Sequence, residues 1–516
     1  MMRGKQWLVL EFLLLTILGV SHQVTMEGPS LDYYTAAVVE FSPTYEWNNG
    51  TLTLRGNTDT YVEYIEKASK QNADIIVFPE DGLTSLHIPK RSQMDPWATV
   101  VPSVDDQYVP CGTSPSFTLY RSQNRIYVLV NIAEKRLCDS KDGCRRNGTR
   151  YHNTNVVFDR TGKIIARYRK VNLYMEAQFD APDTPDSVTF ETDFGVTFGT
   201  FTCFDILFPV PGLTLTRKQA ISNIIFTTAW FSEVPFLTAI QTQFGWSYSE
   251  DVNLLAAGYH DPKIGSAGSG IYLGRNGIAN VTMTRDPPHR LLVSRVPKTT
   301  TTANRRTAEP ESRRERNKWQ LTNHFWDKKH TCQRNQKRQH EVVDWICLKQ
   351  DDVASFHSVP LNVSMTETLC HDNFCCDFHV RTRPSNADRS SSINYRAVVY
   401  NGVRLYGTEV EAGVRLCGLI QCTDDTIRSC GYAGQSSGAT FTAVNVTAKF
   451  HDYPELLVMP SVLDASLTPF EQWTYTESPS ANQTVLSLVL TKPKRDLVTF
   501  SIYARDFSKD KWNRSI

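Results

Sequence analysis

Gly199-Thr-Phe-Thr-Cys203-Phe-Asp205 puts a cysteine at the end of an apolar, strand-like run, with Pro211 and Gly212 marking a turn a little further on. Most buried cysteines are small inert hydrophobes, but one at the end of a buried strand can present a thiolate to a pocket. The surrounding sequence says what kind of sheet the run belongs to. From Tyr33 to about Pro297, strand and helix patterns alternate. Thr35–Glu40, Asp74–Phe78, Arg125–Ile132, Phe194–Thr202 and Asn223–Phe226 read as strands. Asn57–Asn72 has helical spacing with Tyr61, Ile65 and Ala68 on one face, and Val156–Phe158 and Ile164–Ala166 flank a hairpin turn at Arg160–Gly162. This alternation predicts an α/β domain around a buried sheet.

A chain of 516 residues exceeds one ordinary core, so two domains are expected. A formal net charge of +1 gives no global attraction to nucleic acid or anionic membranes. At the N-terminus, Arg3 and Lys5 precede a run from Trp7 to Val20 that is apolar apart from Glu11 and Thr16, and Gly19-Val-Ser21 offers small residues for cleavage. Residues 1–21 therefore read as a secretory signal peptide, too short for a membrane span. Seven N-x-Ser/Thr sequons, at Asn49, Asn147, Asn280, Asn362, Asn445, Asn482 and Asn513, fit a secreted glycoprotein. The polar C-terminus lacks the apolar tail of a GPI-anchor signal.

Twelve cysteines are unevenly spread. Eight of them, Cys332, Cys347, Cys370, Cys375, Cys376, Cys417, Cys422 and Cys430, crowd the second half and predict a disulfide framework in a β-rich second domain. Short β-type runs at Tyr395–Tyr400, Thr440–Val444, Ser487–Leu490 and Leu497–Ser501 agree with that reading. Cys138 and Cys144 could close a small ring; if they do, and the eight pair among themselves, Cys111 and Cys203 are left. Between the two halves, Thr299–Trp345 holds eleven Lys/Arg against six Asp/Glu. It reads as a basic linker, with a heparin or nucleic-acid site and a dibasic cleavage point at Arg313–Arg316 as alternatives.

Two further segments bear on Cys203. Ile75-Ile-Val-Phe-Pro-Glu80-Asp-Gly82 is a buried strand ending in a carboxylate, at the sheet edge where open α/β folds place ligands. Glu80 there could equally cap a helix or pair with an arginine. Ala166-Arg-Tyr-Arg-Lys170 carries a lysine that is either a solvated charge or, beside a thiol, a stabiliser of thiolate and oxyanion.

Glu80, Lys170 and Cys203 together resemble the Glu-Lys-Cys triad of the nitrilase superfamily. Phe78-Pro-Glu-Asp-Gly82, Arg167-Tyr-Arg-Lys-Val-Asn-Leu-Tyr174, Phe201-Thr-Cys-Phe-Asp-Ile-Leu-Phe208, Thr228-Ala-Trp230 and Gly268-Ser-Gly-Ile-Tyr272 look like its vanin (pantetheinase) and biotinidase branch. The later Cys370-x4-Cys-Cys376 and Cys417-x4-Cys422 match that branch's C-terminal domain. The resemblance implies a four-layer α-β-β-α catalytic domain over 32–298, an insertion at 299–345 and a disulfide-rich β base domain over 346–512. It also implies that Glu80 is the base, Cys203 the nucleophile, and Lys170 with the Phe204 N–H the oxyanion donors. Glu176 is then the candidate second glutamate and Trp230 a candidate pocket residue, with core packing as its alternative. Met175-Glu-Ala177 lacks the glycine that vanins tend to have there and looks more like biotinidase. Vanins also have a second cysteine a little after the position of Cys111, where this chain has Tyr120 and Arg121. The implied activity is pantetheine hydrolysis, with biotinyl-amide hydrolysis or a catalytically silent binding protein as alternatives. The implied partner is a small-molecule amide, without metal, organic cofactor or nucleic acid.

Overall fold

The computed structural model describes residues 32–110, 124–138, 148–298, 346–383, 394–407, 410–431 and 437–512. The expected signal peptide, Cys111, Cys144, Cys332, the sequons at Asn147 and Asn513, and the whole basic linker 299–345 lie outside them.

Both faces of the first strand are covered, and this sets the layers. In β1 (Tyr33–Phe41), Ala36 and Val38 point into one apolar cluster while Ala37, Val39 and Phe41 point into another. A strand buried on both sides reads as a continuous apolar run, which is why its sequence shows no alternation. The first sheet continues through β2 (Ile75–Val77), β3 (Tyr127–Leu137), β4 (Thr149–Phe158) and β5 (Ile164–Arg169). The β1–β2 and β2–β3 pairs are parallel, and the expected β4–β5 hairpin is antiparallel. A second sheet contains β6 (Thr189–Glu191), β7 (Thr197–Thr202) and β8 (Asn223–Thr228). A short β9 (Glu233–Val234) stands apart, and β10 (Asn253–Gly258), β11 (Ser269–Leu273) and β12 (Ile278–Thr282) complete the second sheet. Strand β13 (His289–Pro297) returns to the edge of the first sheet beside β1. Val77, Leu129 and Val157 of the first sheet meet Phe198, Ile225, Leu255 and Ile271 of the second in one core.

Helix α1 (Gly50–Ser69) covers the outer face of the first sheet through Tyr61, Ile65 and Ala68, the expected face. It begins seven residues earlier than its sequence period suggests. Asn49 caps it by accepting from the Leu52 N–H at 3.1 Å. Two polar side chains in the opening turns, Thr53 and Asn57, are buried and bonded to the 44–46 loop, so they interrupt the apolar period without breaking the helix. Helix α2 (Ala239–Glu250) covers the second sheet and is packed on its other side by the C-terminal half. Gly245 permits that contact: a Cβ there would lie 2.4 Å from the Pro460 carbonyl oxygen. Together α1, the two sheets and α2 form the α-β-β-α sandwich. The Pro211–Gly212 pair, expected as a turn, opens the helical part of Pro209–Lys218, directly after a kink where Val210 has extended backbone (φ −118°, ψ 128°). A Cβ at Gly212 would make ordinary contacts with Trp246 and Phe201, at 3.4 and 3.6 Å.

The second half is all β. His357–Pro360, Asn394–Tyr406, Val410–Cys422, Leu497–Trp512 and Leu457–Asp464 form one antiparallel sheet; a second is built around Phe374–Arg383 and Thr440–Phe450. Disulfides join Cys370 to Cys375, Cys376 to Cys417 and Cys422 to Cys430, and Cys138 and Cys347 are also disulfide-bonded. Among the described residues Cys203 is the free cysteine. Of the described sequons, Asn49, Asn362 and Asn482 are exposed, while Asn280 and Asn445 are half-buried on strands. No described helix is long and apolar enough to cross a membrane.

Candidate active site

Four strands deliver the site from their carboxyl ends. Glu80 follows β2, Lys170 follows β5, Cys203 follows β7, and Ala229 follows β8. Cys203 adopts φ +50°, a left-handed conformation uncommon outside glycine, at the first residue of a short 3₁₀ turn. That turn swings the chain off the strand and leaves the cysteine facing a pocket, 8% exposed.

Lys170 Nζ donates to Glu80 Oε1 at 2.7 Å and also to Glu176 Oε1, and its side chain is fully buried. Glu80 Oε1 also accepts from Asn153 Nδ2 at 2.8 Å, and its Oε2 accepts from the Ala229 N–H at 2.7 Å. Glu80 is therefore anchored by both sheets, which fixes its direction. Burial works against the Lys170 charge, but the Glu176 and Glu80 carboxylates outweigh it and hold the ammonium well above the usual lysine range. Burial, reinforced by the Glu80 charge, pushes the Cys203 thiol well above its ordinary value, with Lys170 and the Thr228 hydroxyl pulling the other way. The resting sulfur is thus a thiol, and a nearby acceptor has to remove its proton before or during attack. Burial pushes Glu176 up to about 7 against the pull of Lys170, and Glu80 adds to the push.

Two supports of this cluster were not apparent in the sequence. The first is a chain of amides on the inner strands. Asn131 Nδ2 donates to Asn153 Oδ1 at 2.7 Å and to Asn155 Oδ1 at 3.0 Å, and its own Oδ1 accepts from the Asp81 N–H. With its oxygen taken by Asn131, the Asn153 amide must turn its NH2 to Glu80 and Glu176. Asn153 and Asn155 alternate along β4 and so share one face of the sheet, which is the signal the sequence offers. The second support is Asp205, fully buried, which accepts from the Tyr168 hydroxyl at 2.6 Å, the Thr202 N–H at 3.0 Å, and the Asn172 N–H and Nδ2 at 2.9 and 2.8 Å. It ties the Cys203 turn to the segment carrying Lys170. Burial pushes its carboxyl up to about 6 in spite of those donors.

The pocket beyond the sulfur is small, with a cavity volume of about 30 Å³, and half of its lining residues are aromatic, Tyr174, Phe204, Trp230 and Phe231 among them. Trp230 lines this pocket, and its indole N–H donates to the Leu237 carbonyl at 2.9 Å. Tyr406, more than 200 residues from Cys203, closes one side and comes from the second half of the chain. It packs on Phe204 at 5.5 Å between ring centroids, and its hydroxyl bonds that of Tyr503 at 2.7 Å. Glu233, the one carboxylate among the wall residues, is clamped by Lys349 and Arg404 from the same half, which hold it below the usual glutamate range against the effect of burial. Among the described residues no cluster of potential metal ligands is found.

A carbon-nitrogen hydrolase family model matches residues 35–241, and a Vanin C-terminal domain model matches residues 346–510. Vanin-like protein 1 of Drosophila melanogaster is 35% identical over 98% of this chain and 91% of its own length. The pantetheinase of Mus musculus is 28% identical over 94% of this chain and 91% of its own, and the human pantetheinase is 29% identical over 84% and 83%. A solved amidase from Nesterenkonia sp. is similar to 52% of this chain and 91% of its own, at 17% identity and a TM-score of 0.38. By its carbon-nitrogen hydrolase domain and its similarity to pantetheinases, the chain is a hydrolase acting on carbon–nitrogen amide bonds. Its second half narrows the class, and the chain belongs to the vanin family.

Proposed function

We propose that this chain is a secreted, glycosylated enzyme that hydrolyses the linear amide of pantetheine to pantothenate and cysteamine through a cysteine thioester. Residues 32–298 would carry the chemistry and 346–512 form the base domain, joined through 299–345. The observation that carries the reading is the convergence of Glu80, Lys170 and Cys203 beside one apolar pocket, in a chain that aligns along most of its length with pantetheinases. In this reading Glu80 takes the thiol proton while the Cys203 sulfur attacks the amide carbonyl. The Lys170 ammonium and the Phe204 N–H hold the oxyanion. Glu80 then passes its proton to the departing amine as the C–N bond breaks. Water, losing a proton to Glu80, adds to the thioester; the acid leaves and the thiol recovers its proton.

The Glu176 loop, Met175-Glu-Ala177, favours biotinyl amides as the second reading. The test is to recover the full chain from the medium of animal cells, compare its mass before and after enzymatic deglycosylation, and follow amine release from pantetheine and, separately, biocytin. Release from pantetheine by a protein that loses mass on deglycosylation is expected. Release from biocytin alone would overturn the substrate, no release from either would favour a silent binding protein, and retention in the cells would overturn secretion.

Glu176 gives the reaction a pH signature. Its raised carboxyl is neutral below pH 7 and ionises as pH rises through about 7. Above that point Lys170 is shared between two carboxylates rather than held by Glu80 alone, which frees Glu80 to receive the thiol proton. We expect kcat/KM to rise through this window in the native chain. In Glu176→Gln the inflection near pH 7 should vanish and the plateau should fall by roughly tenfold or more. An unchanged inflection would assign it to another group.

A further inference from the structure

Thr228 ends β8 one residue before Ala229, whose N–H anchors Glu80 at 2.7 Å. On the adjacent parallel strand β7, Thr202 is in register with Thr227, so Thr228 is abreast of Cys203 where the chain leaves the sheet. The two neighbouring threonines differ sharply. Thr227 Oγ1 is bonded twice, to Asn155 Oδ1 at 2.9 Å and Thr202 Oγ1 at 3.1 Å. Thr228 is fully buried, and its Oγ1 meets no hydrogen-bond partner among the described residues. A buried hydroxyl left unpaired is a cost to the fold, and such groups call for a reason, catalysis being one. Valine has the same shape and would avoid the cost, yet the chain keeps a hydroxyl here. The sulfur of Cys203 is close enough for that hydroxyl to favour its ionised form.

We propose that Thr228 is a further catalytic residue, whose hydroxyl donates a hydrogen bond to the Cys203 sulfur whenever that sulfur carries negative charge. It does so twice in a cycle. As Cys203 attacks, the thiol proton moves to Glu80, the S–H electron pair forms the C–S bond, and Thr228 steadies the charge on sulfur. As the thioester adduct collapses, the C–S pair returns to sulfur, and Thr228 donates a hydrogen bond to the resulting thiolate until Glu80 reprotonates it. Thr228 keeps its own proton throughout. In the resting thiol the bond is weak, since a neutral sulfur is a poor acceptor, and this accounts for the unpaired hydroxyl.

The proposal rests on Cys203 as nucleophile but not on which amide is cleaved, so the readout is alkylation. The full chain is treated with iodoacetamide from pH 6 to 10, and the Cys203 peptide is quantified by mass spectrometry, for the native chain, Thr228→Val and Thr228→Ser. Thermal unfolding is recorded alongside. Val should slow Cys203 alkylation at pH 8 by about tenfold and move its pH profile upward, while melting no lower than the native chain. Ser should restore both rate and profile, and kcat/KM should follow the same order. An unchanged alkylation profile in Val, or a Ser variant that behaves like Val, would overturn the proposal. Should Val fail to fold, Thr228→Ala carries the same prediction, and failure of pantetheine cleavage leaves the alkylation result standing.

Discussion

Cys203→Ala is expected to abolish amine release, lowering kcat by at least about 10⁴-fold, because its sulfur is the atom proposed to form the acyl bond. The stability change should be small, within about 1 kcal/mol, since only one sulfur atom at the wall of a pocket is lost and alanine occupies the same left-handed backbone at similar cost. This pairing of results is the point of the experiment. A large loss of activity with an unaltered unfolding curve identifies a reacting atom, whereas a parallel loss of both identifies a core residue. Residual turnover within about tenfold of the native rate would remove Cys203 from the mechanism.

Lys170→Met should behave in the opposite way and fail on both counts. The ammonium is the proposed oxyanion donor, and losing one such donor typically costs about 10²–10³ in kcat. It is also the buried counter-ion of two carboxylates. Breaking a buried pair by removing one partner costs about 3–5 kcal/mol, because the remaining charge is left uncompensated. The pH dependence of that loss has a definite sign. Without Lys170, the Glu176 carboxyl, already raised to about 7, is pushed higher and binds a proton more readily in the fold than in the unfolded chain. The variant should therefore recover stability as pH falls from 8 towards 5, measurable by urea unfolding at the two pH values. A variant as stable as the native chain at pH 8 would contradict the coupled triad.

The parts of the site that the sequence revealed are those set by chain-local order. Glu80, Lys170 and Cys203 each follow an apolar run, and their neighbouring residues are distinctive enough to be read in isolation. Asp205 was part of one of those words, yet its role depends on Tyr168 and Asn172, and a hydrogen bond across 33 residues leaves no periodic trace. Helix α2 escaped for a related reason. Ala239–Tyr248 is buried all round, with Gln241 and Gln243 paired to Ser461 and to the Gly268 carbonyl, so no polar face marks its period. Tyr406 and Arg404 gave no hint of the pocket, because what brings them there is the docking of two β-sheet systems rather than any local pattern.

That docking decides what can be separated. Strand Asn394–Tyr406 pairs along its whole length with Val410–Cys422, and the latter is fastened by the Cys376–Cys417 and Cys422–Cys430 bonds. The wall that Tyr406 presents to Cys203 is thus held in place by covalent links made far from any reacting atom. A fragment ending at Lys298 would keep Glu80, Lys170 and Cys203 and lose the side of the pocket facing them. The first half is not a portable cassette, because Tyr406 of the second half has to travel with it for the pocket to keep that wall.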